Sequence, residues 1–184
     1  MLQRDKFRYF YYYKNDINIE KDFGGIDMAL TAVKSANAYR ALCRVLERNE
    51  IIHECDEKNW CVKCSISGNE TDFQFAFVIE PSKMLIKLYV FLDIDLSQTS
   101  IPELSFALCV INDSLSDGHF CFDRSGTSLY FKITASFYNS FTDESVFEYL
   151  LSVAAESTEE YYSKIKGITE KIQAYKIMDR NLYW

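Results

Sequence analysis

The chain has 184 residues, enough for one domain with a substantial apolar core. Six glycines and two prolines, about 4 % of the chain against a usual ~12 %, exclude a collagenous or low-complexity chain and any glycine-rich phosphate loop. Twenty basic residues against twenty-seven acidic ones leave a net charge of −7, which disfavours a general binder of nucleic acid or anionic membrane.

Residues 1–25 form an aromatic arm. Phe7, Tyr9, Tyr11 and Tyr13 alternate with Arg8, Phe10, Tyr12 and Lys14 in the period of a strand, and Gly24-Gly25 separates them from the first helix. Aromatics on a basic strand can stack bases, but packing on this domain or on a twin subunit fits the charge of the whole chain better. Charged Arg4, Asp5 and Lys6 precede any apolar run, and no stretch approaches the ~18 apolar residues of a membrane span. The expected location is the cytoplasm.

From about residue 27 to 48 the pattern is helical, with Leu30, Val33, Ala38, Ala41, Leu42 and Val45 on one stripe. Trp60, Val62, Cys64 and Ile66 then share a strand face, and Gly68-Asn69 marks a turn. Phe73, Phe75, Phe77 and Ile79 share the next strand face, Pro81-Ser82 marks another turn, and a third strand runs from Met84 to about Phe91. Short turns make these strands antiparallel. A second helix opens at Ser100, which has capping-box spacing to Glu103, and its stripe is Leu104, Leu108, Ile111 and Leu115. His119–Phe122 and Thr127–Ala135 read as a hairpin.

The final helix starts near Thr142. Phe147, Leu151, Ala154, Thr158, Tyr161, Ile165, Ile168, Ile172 and Tyr175 are spaced alternately four and three, a heptad seam that suits either this chain's own sheet or a second chain. Gly167 weakens that helix by about 1 kcal/mol relative to alanine. The order α-β-β-β-α-β-β-α defines an α+β domain at 26–178, with its helices on an antiparallel sheet and a short tail at 179–184.

Six cysteines stand at 43, 55, 61, 64, 109 and 121, and the cytoplasmic reading makes them reduced thiols. Cys43 and Cys109 fall on helical stripes as small hydrophobes. His53, Cys55, Cys61 and Cys64 offer four zinc-ligand types within twelve residues, but a strand through 60–64 points Cys61 and Cys64 to opposite faces. As a redox pair they lack a helix N-terminus to activate a thiol. Asp93 and Asp95 flank Ile94 at a strand exit, as a solvated pair of carboxylates rather than an acid–base couple. No catalytic, cofactor-binding or metal-binding residue is assigned, and no cofactor.

Residues 88–163 carry twelve acidic residues against Arg124 and Lys132, a net −10 that leaves the remainder at +3. The stretch serves solubility or a basic partner. Within it, Val110-Ile111-Asn112-Asp113, Asp117-Gly118-His119-Phe120-Cys121-Phe122-Asp123, Tyr130-Phe131-Lys132 and Glu159-Glu160-Tyr161-Tyr162 with Ile165 resemble the YbjN-like family, described as bacterial sensory transduction regulators. Those proteins are similar in fold to the dimeric class I chaperones of type III secretion. The resemblance covers about residues 26–175. It implies a type III secretion chaperone-like fold, with Asn112 and Gly118 fixing a helix-to-strand turn, and a bacterial protein without catalytic residues. The resulting expectation is a non-catalytic, regulatory or chaperone-like interaction module. It would be a homodimer joined through its second or last helix, with a basic or amphipathic protein partner and no nucleic acid or membrane. The alternative is a thiol- or zinc-dependent protein using the Cys55–Cys64 cluster.

Overall fold

The structure, a computed structural model, describes residues 28–138 and 143–181, with side chains described over 30–138 and 143–174. The aromatic arm and Thr142 lie outside the described residues. Three helices, α1 (Met28–Arg48), α2 (Ile101–Ser114) and α3 (Glu144–Asn181), accompany six strands. The strands are β1 (His53–Asp56), β2 (Cys61–Ser67), β3 (Asp72–Glu80), β4 (Leu85–Leu92), β5 (His119–Phe122) and β6 (Leu129–Ser136). They form one antiparallel sheet in the order β1-β2-β3-β4-β6-β5. This is the α+β architecture that the periodicities predict, with β1 added at one edge.

Alternation divides the sheet into two unlike faces. One cross-strand row runs Cys64, Phe75, Val90, Phe131 and Phe120, and the next runs Val62, Phe77, Leu88 and Ile133. All of these are buried, and they make the floor of a single core that the helices roof. On the opposite face Tyr130 lies 5.6 Å from Tyr89 and 6.0 Å from Phe91, ring centre to ring centre, while Lys132 Nζ sits 5.8 Å from the Tyr89 ring.

Helix α3 has 38 residues, about 57 Å, and its inward side chains pack on the sheet of their own chain. Phe147 meets Phe77 and Tyr162 meets Phe73 edge-on, with ring centres 6.3 and 5.5 Å apart. The Tyr162 hydroxyl donates to the Asp93 carbonyl, and the Gln173 amide donates to the Asp95 carbonyl and the Thr99 hydroxyl. The heptad seam is therefore engaged within the chain. Its polar member Thr158 is buried, yet its hydroxyl donates back to the Ala154 carbonyl at 2.7 Å; Thr169 does the same to Ile165 at 2.9 Å. Buried hydroxyls thus cost little.

Two expectations need correcting. Leu30 and Val33 are exposed, so burial along α1 begins only at Ser35. Ser100 occupies the N-cap of α2 without a side-chain hydrogen bond, so no capping box forms. The turn from α2 into β5 is firmly held. The Asn112 side-chain amide donates to the Phe120 carbonyl at 2.9 Å, and its carbonyl oxygen accepts the Phe120 N–H at 2.7 Å. Gly118 comes before that strand with φ +73°, and a Cβ there would run into the Phe131 ring. Gly118→Ala should cost about 3 kcal/mol, because it adds left-handed strain to a clash with a core ring. Gly167→Ala, where a new Cβ meets nothing within 4 Å, should instead add about 0.5–1 kcal/mol. Urea unfolding of both variants checks the pair of opposite signs.

Candidate functional site

Once α3 is committed to its own sheet, the largest apolar exposure on a helix middle among the described residues falls on α2. Leu104 and Leu108 face the core, while Phe106 and Val110, one turn apart, are 75 % and 61 % exposed on the outer side. Cys109 is exposed beside them, which corrects its expected burial. Asp113 continues the same outer face one turn further on.

Beyond it a cleft of about 230 Å³ opens between the end of α2 and the flank of α3, lined by Asp117, Tyr149, Glu156, Glu160 and Tyr161 among others. The Tyr149 hydroxyl donates to Asp117 at 3.0 Å, and that carboxylate raises the phenol above its usual value. Ser152 donates to Glu156 at 2.7 Å, and Lys164 pairs with Glu160 at 3.1 Å. The cleft is acidic and built largely from the −10 stretch. Elsewhere that stretch is structural. Glu144 receives Arg44 at 2.7 Å and Arg48 at 2.9 Å, tying α1 to the start of α3, and the Arg44 hydrogen bond leads in holding its carboxyl below the usual range. At Asp123 partial burial pushes the carboxyl up, but donors from Ser125, Thr127 and Ser128 outweigh it and hold the group low across the β5–β6 turn.

The other sequence candidates are scattered. Strand β4 ends at Leu92, so Asp93 and Asp95 lie in the following loop, both exposed. The Asp95 carboxylate accepts the Ser97 N–H at 2.9 Å, and that bond lowers its pKa. Cys61 and Cys64 do point to opposite faces of β2, opposite Val78 and Phe75 respectively. Burial pushes the Cys64 thiol to about 12.

His53 and Cys55, on β1, meet a residue that spacing did not supply. Cys43 of α1 is half-buried and turns toward them, with its Sγ 3.5 Å from that of Cys55. Burial first, then the Cys55 thiol, raise Cys43 to about 12. The sequence signal was faint: Tyr39 and Cys43 are one turn apart on α1, and His53 and Cys55 share a strand face. Nothing in the local pattern announces that the helix passes over the strand.

No known protein family matches the sequence, and no curated protein does. Solved structures do share the fold. A chain of the crystal structure of the ExsC–ExsE complex superposes with TM-score 0.54 at 13 % identity, covering 70 % of this chain and 93 % of that one. A chain of the HopA1–SchA chaperone–effector complex superposes with TM-score 0.52 at 9 % identity, covering 75 % of this chain and 98 % of that one. The fold is therefore of the type III secretion chaperone-like α+β kind, shared with a chain of a chaperone–effector complex. No helix among the described residues is long and apolar enough to cross a membrane.

The cysteines differ enough in setting to be told apart by their reactivity. Burial raises the Cys43 and Cys64 thiols far above pH 8 and keeps them protonated there, so both should resist iodoacetamide. Exposed Cys55 and Cys109 should be alkylated first in the metal-free chain. Peptide mass mapping over time checks the order, and early labelling of Cys64 would contradict the packing of β2.

Proposed function

We propose that the chain is a non-catalytic protein-binding module, regulatory or chaperone-like, that acts in the cytoplasm as a homodimer joined through α2. The observation that carries this reading is the adjacent pair Phe106 and Val110, wide open on a helix whose other side is core. Contiguous apolar surface of this kind marks an interaction site. A two-fold axis beside α2 would bury the patch against its own copy, which closes the assembly at two chains. The seam of α3, the other candidate for the interface, is already spent on the sheet.

The acidic cleft beside the patch suits a basic or amphipathic segment of another protein, steered by opposite charge. The shared fold with a chain from a chaperone–effector complex supports a role in holding such a segment. The reading as a bacterial regulator rests on the resemblance of the motifs around Asn112 and Gly118 to the YbjN-like family alone, since no known protein family matches the sequence. The alternative of a thiol- or zinc-dependent activity at Cys55–Cys64 has less support as the main function, because β2 turns Cys61 away from the other three groups.

Light scattering should give twice the chain mass for the native protein, and Phe106→Asp with Val110→Asp should give a single chain with unchanged circular dichroism. A native monomer at all workable concentrations would overturn the dimer. Charge reversal at Glu156 and Glu160 should leave the mass at two chains but abolish retention of a host protein captured by the native form. If that protein is retained equally by the reversed variant, the cleft is not its site.

A further inference from the structure

Helix α1 carries Cys43 one turn beyond Tyr39, and β1 returns beneath that turn with His53 and Cys55 two residues apart on the side facing the helices. One ligand atom from each of Cys43, His53 and Cys55 lies within 4.8 Å of the other two. We propose that these three side chains bind a zinc ion, leaving its fourth position open to water or to a side chain brought by a bound protein. The inference does not depend on the dimer or on the acidic cleft.

The sulfur–sulfur spacing is that of a metal site. Tetrahedral zinc, with Zn–S of about 2.3 Å and Zn–N of about 2.0 Å, places two sulfurs about 3.8 Å apart and a sulfur and nitrogen about 3.5 Å apart. The Cys43 and Cys55 sulfurs stand at 3.5 Å, close to that value and far from the ~2.05 Å of a disulfide. His53 is already oriented: its Nδ1–H donates to the Ile51 carbonyl at 2.8 Å, which fixes the tautomer and leaves the lone pair on Nε2.

Tyr39, one turn before Cys43, borders the same cluster. It is only 6 % exposed, and its buried hydroxyl has no oxygen or nitrogen partner but lies beside the Cys55 thiol. A hydroxyl in that place can donate to a zinc-bound Cys55 thiolate. Binding would release one proton from each thiol, so two thiolates and a neutral imidazole would balance the dication. Two sulfurs select zinc over magnesium or calcium, which prefer oxygen. Exposed Cys55 leaves the ion a way in. The result would be a clip from α1 to the four-residue edge strand β1.

The test is titration of the reduced full chain with zinc chloride and, in parallel, cobalt chloride. The expected result is one ion per chain, with the thiolate-to-cobalt charge-transfer bands of a tetrahedral site. Cys43→Ser and Cys55→Ser should each weaken binding by at least tenfold, His53→Ala similarly, and Cys109→Ser not at all. Circular dichroism of each variant verifies that it is folded. Tyr39→Phe, which keeps the ring and removes only the hydroxyl, should weaken binding less than loss of a ligand. No uptake by the native chain, or equal uptake by Cys43→Ser, would overturn the site. So would a chain that forms a Cys43–Cys55 disulfide and, once reduced, takes up no metal.

Discussion

A six-stranded sheet whose one face carries phenylalanine, leucine, valine and isoleucine in unbroken rows must be roofed, and the covering of that face by α3 is the constraint on which the rest of the molecule depends. The helix meets it with side chains spaced four and three, and its aromatics find partners below: Phe147 on Phe77, Tyr162 on Phe73 and Tyr161 on Phe120. Removing a buried aromatic from such a contact typically costs about 3–5 kcal/mol, several times any of the surface ion pairs that join α1 to α3. Those ion pairs, Arg44 and Arg48 with Glu144, join α1 to the start of α3 at the solvent-exposed surface.

With α3 spoken for, α2 becomes the element with a face to spare. It has only 14 residues and holds the core through Leu104 and Leu108. Its C-terminal end is fixed by the two Asn112 hydrogen bonds to Phe120, so the outer face is presented on a rigid support. Rigidity matters for recognition, because a preorganised patch has little ordering cost on binding. The acidic cleft arises from the same turn, since Asp117 leaves α2 where Tyr149 and Glu156 pass on α3.

Much of the fold was legible in the sequence because the buried positions are apolar and regular. Phe73, Phe75, Phe77 and Ile79 announce β3 by alternation alone, and the seam of α3 is readable over its whole described length. Strand β1 was not legible. It has four residues, His-Glu-Cys-Asp, and its helix-facing side chains are polar or sulfur-bearing, so alternation of hydrophobicity says nothing there. The cysteine–histidine cluster was hidden for the same reason and for a second one. Its third member comes from a helix, and only the tertiary packing of α1 over the edge brings Cys43 to Cys55. Local spacing favoured Cys61 and Cys64, which the pleat of β2 separates. The outer face of α2 was half legible: Phe106 and Val110 fall off its buried stripe, but their openness depends on α3 turning to the sheet instead.

In the proposed dimer, α2 joins two copies of the chain across a two-fold axis. Cys109 lies exposed on that face next to Val110, so a symmetric contact brings it near its own counterpart. Cross-linking with a short bis-maleimide, read by intact mass and peptide mapping, tests this most directly. A two-fold contact through α2 predicts a covalent dimer linked Cys109 to Cys109 and lost in Cys109→Ser. A dimer in solution that cross-links only through other cysteines, or not at all, would contradict it.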